Sequence, residues 1–290
     1  HSDCKVVLVS AAWLSAVQEA VAHLPREVTV LVCDERQFDW PLQGQFEGPG
    51  GSAMETAPPA TEDTTALLMY TSGTTGLPKG VMLTQANLMA NAQAISAAHQ
   101  LGAQDRSLMV LPLYHINAFT VNMLAPLVHG GSVVLMPKFS TQRFWDVAVQ
   151  HGCTWINVVP TIISYLLEAD APARSRLQGI RFCRSASAAL PVEYLHAFEA
   201  KFGIGIVETM GLTETAAPSF SNPMDPAQRK SGAVGRASGC QAKVVDAQLQ
   251  DLPDGTVGEI VIQGPQVMRG YYKNPQATQE AFTPDGWLRT

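Results

Sequence analysis

This chain is short of charge and has no basic excess. Charged residues make up 15% of its 290 residues, and the formal net charge is −6. Nucleic-acid partners leave a basic footprint and anionic membranes attract clustered Lys and Arg, so the composition argues against both. No Cys-x-x-Cys occurs. The five cysteines, Cys4, Cys33, Cys153, Cys183 and Cys240, are odd in number and far apart. Neither a zinc knuckle nor a disulfide framework is indicated, and free thiols in a reducing cytoplasm are expected. No basic segment followed by an apolar stretch opens the chain, so no signal peptide is visible. The oiliest long run, residues 118–136, holds Asn122, His129 and a Gly130-Gly131 pair and is a poor transmembrane candidate. Internal repeats and low-complexity tracts are lacking too. What remains is a globular composition, 46% apolar and long enough for two subdomains.

One segment stands out: Tyr70-Thr71-Ser72-Gly73-Thr74-Thr75-Gly76-Leu77-Pro78-Lys79-Gly80-Val81. Glycines let backbone N–H groups approach an anion, hydroxyls add donors, and the lysine adds a point charge. That is the chemistry of a phosphate cradle. It is not the P-loop, which ends in Gly-Lys-Ser/Thr and enters a helix. Pro78 and Gly80 flank Lys79 and favour a hairpin-like loop instead. On residue types alone, a ligand-free Ser/Thr/Gly surface loop is an equal reading.

The rest of the chain alternates strand and helix patterns. A strand over 5–10, a helix over 11–23 and a strand over 28–33 form a β-α-β unit. Residues 43–63 read as an exposed linker. Thr84 is placed to cap a helix over 85–101. Strands are expected at 107–111, 132–136, 155–159, 180–183 and 204–209, with helices at 119–128, 141–150, 161–169 and 192–202. This spacing predicts an α/β fold: doubly wound, largely parallel sheets with helices on both faces. From about Gly232 the pattern changes to short strands and turns, so a core of residues 1–231 and a small β-rich subdomain of residues 232–290 are expected.

Three further motifs follow predicted strands, where doubly wound sheets place their ligands. In Glu208-Thr209-Met210-Gly211-Leu212-Thr213-Glu214-Thr215 a carboxylate sits beside hydroxyls, a fit for Mg²⁺ against phosphate; spacing alone favours Glu214 as a turn cap. Arg184-Ser185-Ala186-Ser187-Ala188-Ala189-Leu190-Pro191 offers small residues against which a flat ring can lie, or simply a tight helix entry. Pro112-Leu113-Tyr114-His115-Ile116-Asn117 offers a histidine, a residue type more often structural than catalytic, and an amide two positions on.

Together these strings closely resemble the adenylate-forming superfamily, which contains acyl-CoA synthetases, the adenylation domains of peptide synthetases, and luciferases. The resemblance implies that Thr71, Ser72, Gly73, Thr74, Thr75, Gly76 and Lys79 hold the ATP phosphates. It implies that Thr213 contacts the α-phosphate, and that Glu214, with Thr75, binds Mg²⁺. Ser187, Ala188, Ala189, Glu208, Thr209, Met210 and Gly211 would frame AMP. His115 would lie beside the acyl carboxylate, with Asn117, Val158, Arg184 and Gly211 lining the acid's pocket. Met210 departs from the family, which has an aromatic there. The stretch Gly258-Glu259 to Asn274-Pro275 also matches closely and reads as structural, its aromatic pair serving packing.

The implied activity is that of an AMP-forming acyl-CoA synthetase. A carboxylic acid and ATP give acyl-AMP and pyrophosphate, and coenzyme A then displaces AMP. An amino-acid or aryl-acid adenylation domain is the alternative; the amino-acid form is disfavoured because the segment after His115 supplies no carboxylate for a substrate ammonium. A non-catalytic nucleotide-binding fragment is the third reading. The family continues past Gly286-Trp287-Leu288-Arg289-Thr290 with a Gly-Asp pair, a hinge and a mobile domain carrying a lysine. These 290 residues are therefore expected to be part of the family's large domain and inactive by themselves. A homodimer stays open.

Overall fold

The structure, a computed structural model, describes residues 1–33, 59–71 and 78–290. It divides into two compact units, His1–Ala60 and Thr61–Thr290. In the first, β1 (Val6–Ser10) leads through a 3₁₀ turn into α1 (Leu14–Ala22) and then β2 (Thr29–Cys33). The two strands pair in parallel, as the β-α-β pattern predicts. The expected linker falls largely outside the described residues.

The second unit opens with a hairpin. β3 (Thr65–Thr71) and β4 (Lys79–Thr84) run antiparallel, with Thr71 opposite Lys79. The Pro78-Lys79-Gly80 sequence thus marks a hairpin arm and not a helix start. α2 (Gln85–Ala98) follows at once, capped as expected. The Asn87 amide donates to Thr84 Oγ1 (3.2 Å) while Asn87 Oδ1 accepts from the Thr84 amide (2.9 Å).

Next come β5 (Arg106–Met109), a π-helical stretch Asn117–Leu124, α3 (Ala125–His129) and β6 (Ser132–Leu135). Then follow α4 (Thr141–Gln150), β7 (Trp155–Val158), α5 (Pro160–Glu168), β8 (Phe182–Ser185), α6 (Val192–Phe202) and β9 (Ile206–Leu212). β6, β5, β7, β8 and β9 lie side by side in that order, all parallel. Two antiparallel strands complete this seven-stranded sheet, β10 (Ala217–Ser221) and β11 (Arg236–Ala237). Neither was expected: Pro218 and a register shift beside it break the alternation that signals a strand.

Adjacent residues of the central strands feed two different cores. Ile156, Cys183 and Ile206 pack with Phe144 and Trp145 of α4, Ile163 and Leu166 of α5, and Phe198 of α6. Trp155, Phe182 and Val207 pack on the opposite face with Leu88 and Ile95 of α2 and Val81 and Leu83 of β4. The fold is therefore α/β, with a largely parallel sheet covered on both faces. After β11 come β12 (Gln241–Val245), β13 (Glu259–Gln263), β14 (Gly270–Tyr271), α7 (Pro275–Glu280) and β15 (Leu288–Arg289). β12, β13 and β15 form their own antiparallel sheet, while β14 joins β4. Among the described residues no helix is long and apolar enough to cross a membrane.

Candidate active site

A cavity of about 710 Å³ opens at the carboxyl ends of β5, β7, β8 and β9. Each strand end contributes a loop to its wall: Leu111 to Asn117 after β5, Val159 after β7, Ala186 and Ser187 after β8, and Gly211 to Glu214 at the end of β9. Thr71 and Lys79 of the hairpin and Tyr271 of β14 close another side.

Nine residues singled out in the sequence line this cavity: Thr71, Lys79, His115, Asn117, Arg184, Ser187, Gly211, Thr213 and Glu214. Ser72, Gly73, Thr74, Thr75 and Gly76 lie outside the described residues. The remaining six do not border the cavity. Val158 is fully buried in the core facing α4, α5 and α6. Strand alternation turns its neighbour Val159 to the cavity instead. Thr209 is buried and donates to the Ser185 carbonyl (3.4 Å), and Met210 stands opposite Phe220 in the β9–β10 ladder. Ala188 and Ala189 are exposed beyond Ser187. Glu208 accepts from the Gly232 amide (3.0 Å) beside a separate 90 Å³ cavity shared with Glu199 and Arg229. Burial there holds its carboxyl above the usual carboxylate range.

Glu214 and Lys79 meet through a residue that sequence reasoning assigned to packing. The Tyr271 hydroxyl donates to Glu214 Oε1 (2.8 Å), and Lys79 Nζ lies 5.0 Å from the centre of the Tyr271 ring. Burial, and then the adjacent Glu214 carboxylate, push the phenol well above its ordinary pKa, so Tyr271 remains a donor. Its Gly-Tyr-Tyr context lay within a recognised segment, but only the β14–β4 pairing brings it to the cavity.

The turn bearing Thr213 and Glu214 is held by unusual means. Ala216 and Ala217 have φ of 56° and 105°, a left-handed backbone rare outside glycine. Thr215 Oγ1 accepts from the Leu212 amide (3.1 Å) and donates to the Ala217 carbonyl (2.8 Å). From α2, the buried Asn91 Nδ2 donates to the carbonyls of Thr215 (2.6 Å) and Pro218 (3.0 Å). At Gly211 a Cβ would lie 1.8 Å from the Ala217 carbonyl oxygen, so only glycine lets β9 and β10 close there.

The floor is a buried polar cluster. Arg184 is 1% exposed. Its Nη1 donates to Asn117 Oδ1 and Asn157 Oδ1, both at 2.7 Å. Asn157 Nδ2 donates to Asn122 Oδ1 (2.6 Å), and Asn117 Nδ2 to Ser187 Oγ (3.2 Å). Asn117 and Asn122 both ride on the π-helical stretch, a distortion often found at functional sites. Ser187 has φ of 73°, a left-handed conformation for a residue with a side chain. His115 is exposed at the mouth, its ring 4.5 Å from that of Tyr114.

Among the described residues no three His, Cys, Asp or Glu side chains cluster to hold a metal by themselves. Of the described residues lining the cavity, Glu214 alone is acidic. One carboxylate matches an ion that takes most of its ligands from phosphate and water, as Mg²⁺ does. The arrangement suits an anionic, phosphate-bearing ligand that lies between Lys79 and Glu214.

Known proteins carry the same architecture. A family described as AMP-binding enzyme matches residues 1–272. Sulfoacetate–CoA ligase of Cupriavidus necator is 54% identical over 293 aligned residues, covering 100% of this chain and 56% of that protein. Oxalate–CoA ligase of Saccharomyces cerevisiae is 36% identical, covering 78% of this chain and 41% of that protein. The crystal structure of ATP-bound MatB from Rhodopseudomonas palustris superposes with a TM-score of 0.85 at 29% identity, covering 99% of this chain and 56% of MatB. The chain thus spans about half the length of the relatives it matches. With its fold and nearly its whole length matched in this way, the chain belongs to the AMP-binding enzyme family.

Proposed function

We propose that the complete protein is an acid–thiol ligase that activates a carboxylic acid with ATP and transfers the acyl group to coenzyme A. The observation that carries this reading is the convergence of Lys79, Thr213 and Glu214 on one cavity from distant parts of the sequence. In the first step a carboxylate oxygen of the acid attacks the α-phosphorus, and pyrophosphate leaves with the bond electrons. In the second, the coenzyme A sulfur attacks the acyl carbon and AMP departs. Displacement at phosphorus depends on positioning and charge neutralisation, which a fixed lysine and hydroxyls supply. Mg²⁺ bound at Glu214 would offset phosphate charge. In this reading Ser72 to Gly76 complete the phosphate site with Thr71, and Thr75 shares the ion. Ser187 and Gly211 border the adenosine, with Ala188, Ala189, Glu208, Thr209 and Met210 in the strands and loop behind them.

Amino-acid adenylation is the weaker reading. A buried substrate ammonium needs a carboxylate; the one carboxylate among the described lining residues belongs to the phosphate end, and Arg184 would repel the ammonium. The named relatives act on sulfoacetate and oxalate, so small acids are the first candidates. Five free cysteines fit residence in the cytoplasm. Division into a core of 1–231 and a β-rich part of 232–290 is retained as part of the proposal.

The test is pyrophosphate release by the complete protein with ATP, Mg²⁺ and a panel of acids, with and without coenzyme A. Acid-dependent release followed by thioester formation is expected. Acid-independent ATP cleavage, or none with any acid, would overturn the assignment.

A further inference from the structure

The Arg184 guanidinium is a buried charge in the cavity wall. It is 1% exposed, yet among the described residues no carboxylate forms an ion pair with it. Among the described residues its donations go to two neutral amides, both from Nη1. Its Nε is buried without a partner. A guanidinium offers five N–H donors in a planar fork shaped for an oxyanion. Burying it beside neutral groups alone is costly unless an anion completes it. Burial also pushes its pKa down to about 9, the response of a cation lacking a counter-ion. The amides around it, Asn117 and Asn157, orient the fork while adding no charge. At the hairpin side Tyr271 engages Glu214, and Lys79 lies over the Tyr271 ring. The cavity therefore carries a second cationic pole in addition to Lys79.

We propose that Arg184, oriented by Asn117 and Asn157, reads a second oxyanion on the acid, a carboxylate or sulfonate besides the carboxylate that is activated. This rests on the ligase reading and makes the substrate a short dianionic acid. The activated carboxylate points toward the Lys79 and Glu214 side, while the second anion pairs with the guanidinium on the floor. A chain of more than a few carbons with an uncharged end would leave Arg184 unpaired. That is how the site rejects monoanionic acids of similar size.

Acid-dependent pyrophosphate release by the complete protein tests this. The dianionic arm comprises malonate, succinate, oxalate and sulfoacetate. The monoanionic arm comprises acetate, propionate, butyrate and monomethyl malonate. The best dianion should exceed the best monoanion in kcat/KM by on the order of 10²-fold or more. Arg184→Met should collapse that ratio toward one, chiefly by loss of the dianions, and Arg184→Lys should keep part of it. Whether carboxylate or sulfonate is preferred identifies the natural headgroup. Thermal melting supplies a readout independent of turnover. The best dianion, added at millimolar concentration, should raise the melting temperature of the wild type and not that of Arg184→Met, whose folding is checked by circular dichroism. Preference for monoanions in the wild type would overturn the inference and leave the ligase reading standing. So would an equal melting shift in both proteins. Failure of every acid to release pyrophosphate would sink the ligase reading, while the melting shifts would still report on Arg184.

Discussion

At the scale of single residues the site separates charge by position. Lys79 is expected to act on phosphate, so Lys79→Ala in the complete protein should slow adenylate formation by roughly 10²-fold, the scale for losing one preorganised stabilising group. ATP–pyrophosphate exchange measures this directly, and an unchanged rate would remove Lys79 from the phosphate site. Glu214→Gln keeps the shape and the Tyr271 contact but loses the charge. Its Mg²⁺ requirement should rise, and a titration overlaying the wild type would make Glu214 structural. Outside the site, His99 makes a prediction for stability. It is fully buried, stacks on Phe182 at 5.5 Å, and its Nδ1 meets the Ile95 carbonyl at 2.9 Å. Burial, with Arg184 adding to it, pushes its pKa down to about 3 from 6.5. The unfolded chain therefore takes up a proton below pH 6.5 that the folded chain refuses. The contribution is fully present above pH 6.5 and is lost as pH falls toward 3. Between pH 7.5 and 5 it amounts to about 2 kcal/mol. Denaturant midpoints at the two pH values should diverge in the wild type, and by markedly less in His99→Gln.

Elements show how much of this was legible beforehand. The β-α-β start, the Thr84 cap, α4, α6 and the parallel strands follow from periodicity and capping chemistry, because those signals are local. β10 was not legible, since Pro218 and small residues hide it, and its pairing depends on Gly211 across the turn. The expected helix at 119–128 begins as a π-helical stretch, which no residue count announces. The same divide runs through the site. Lys79, Thr213 and Glu214 were visible as strings. Tyr271 and the contact of Arg184 with Asn157 were not, because they join residues from separate strands. Asn91 belongs to this hidden class. Asn91→Leu leaves the Thr215 and Pro218 carbonyls without their donor, at a cost of about 1–3 kcal/mol for each buried group left unpaired. The melting temperature should fall. Because the turn carries Thr213 and Glu214, turnover should fall as well, with little change in acid preference. A variant with full turnover and a lowered melting temperature would show that α2 supports the sheet but does not position the site.

At the scale of the whole molecule, the cavity is assembled from one unit, residues Thr61–Thr290. Its two poles lie on opposite supports: Lys79 on the hairpin, Arg184 at the end of β8. The described wall also holds His115 and the hydroxyl groups of Thr71, Ser187 and Thr213. Charge develops on oxygens around the α-phosphate during displacement, and a site open to water stabilises it poorly. The matched relatives are nearly twice as long as this chain. Residues 1–290 by themselves are expected to bind ATP weakly, to respond to dianionic acids through Arg184, and to form no thioester. Incubation of this segment with ATP, Mg²⁺, coenzyme A and the acid panel checks the point by mass. Calorimetry with ATP and with the acids separates binding from turnover. Acyl-CoA produced at a rate near that of the complete protein would mean that Lys79, Thr213 and Glu214, with residues Ser72 to Gly76, suffice for both steps.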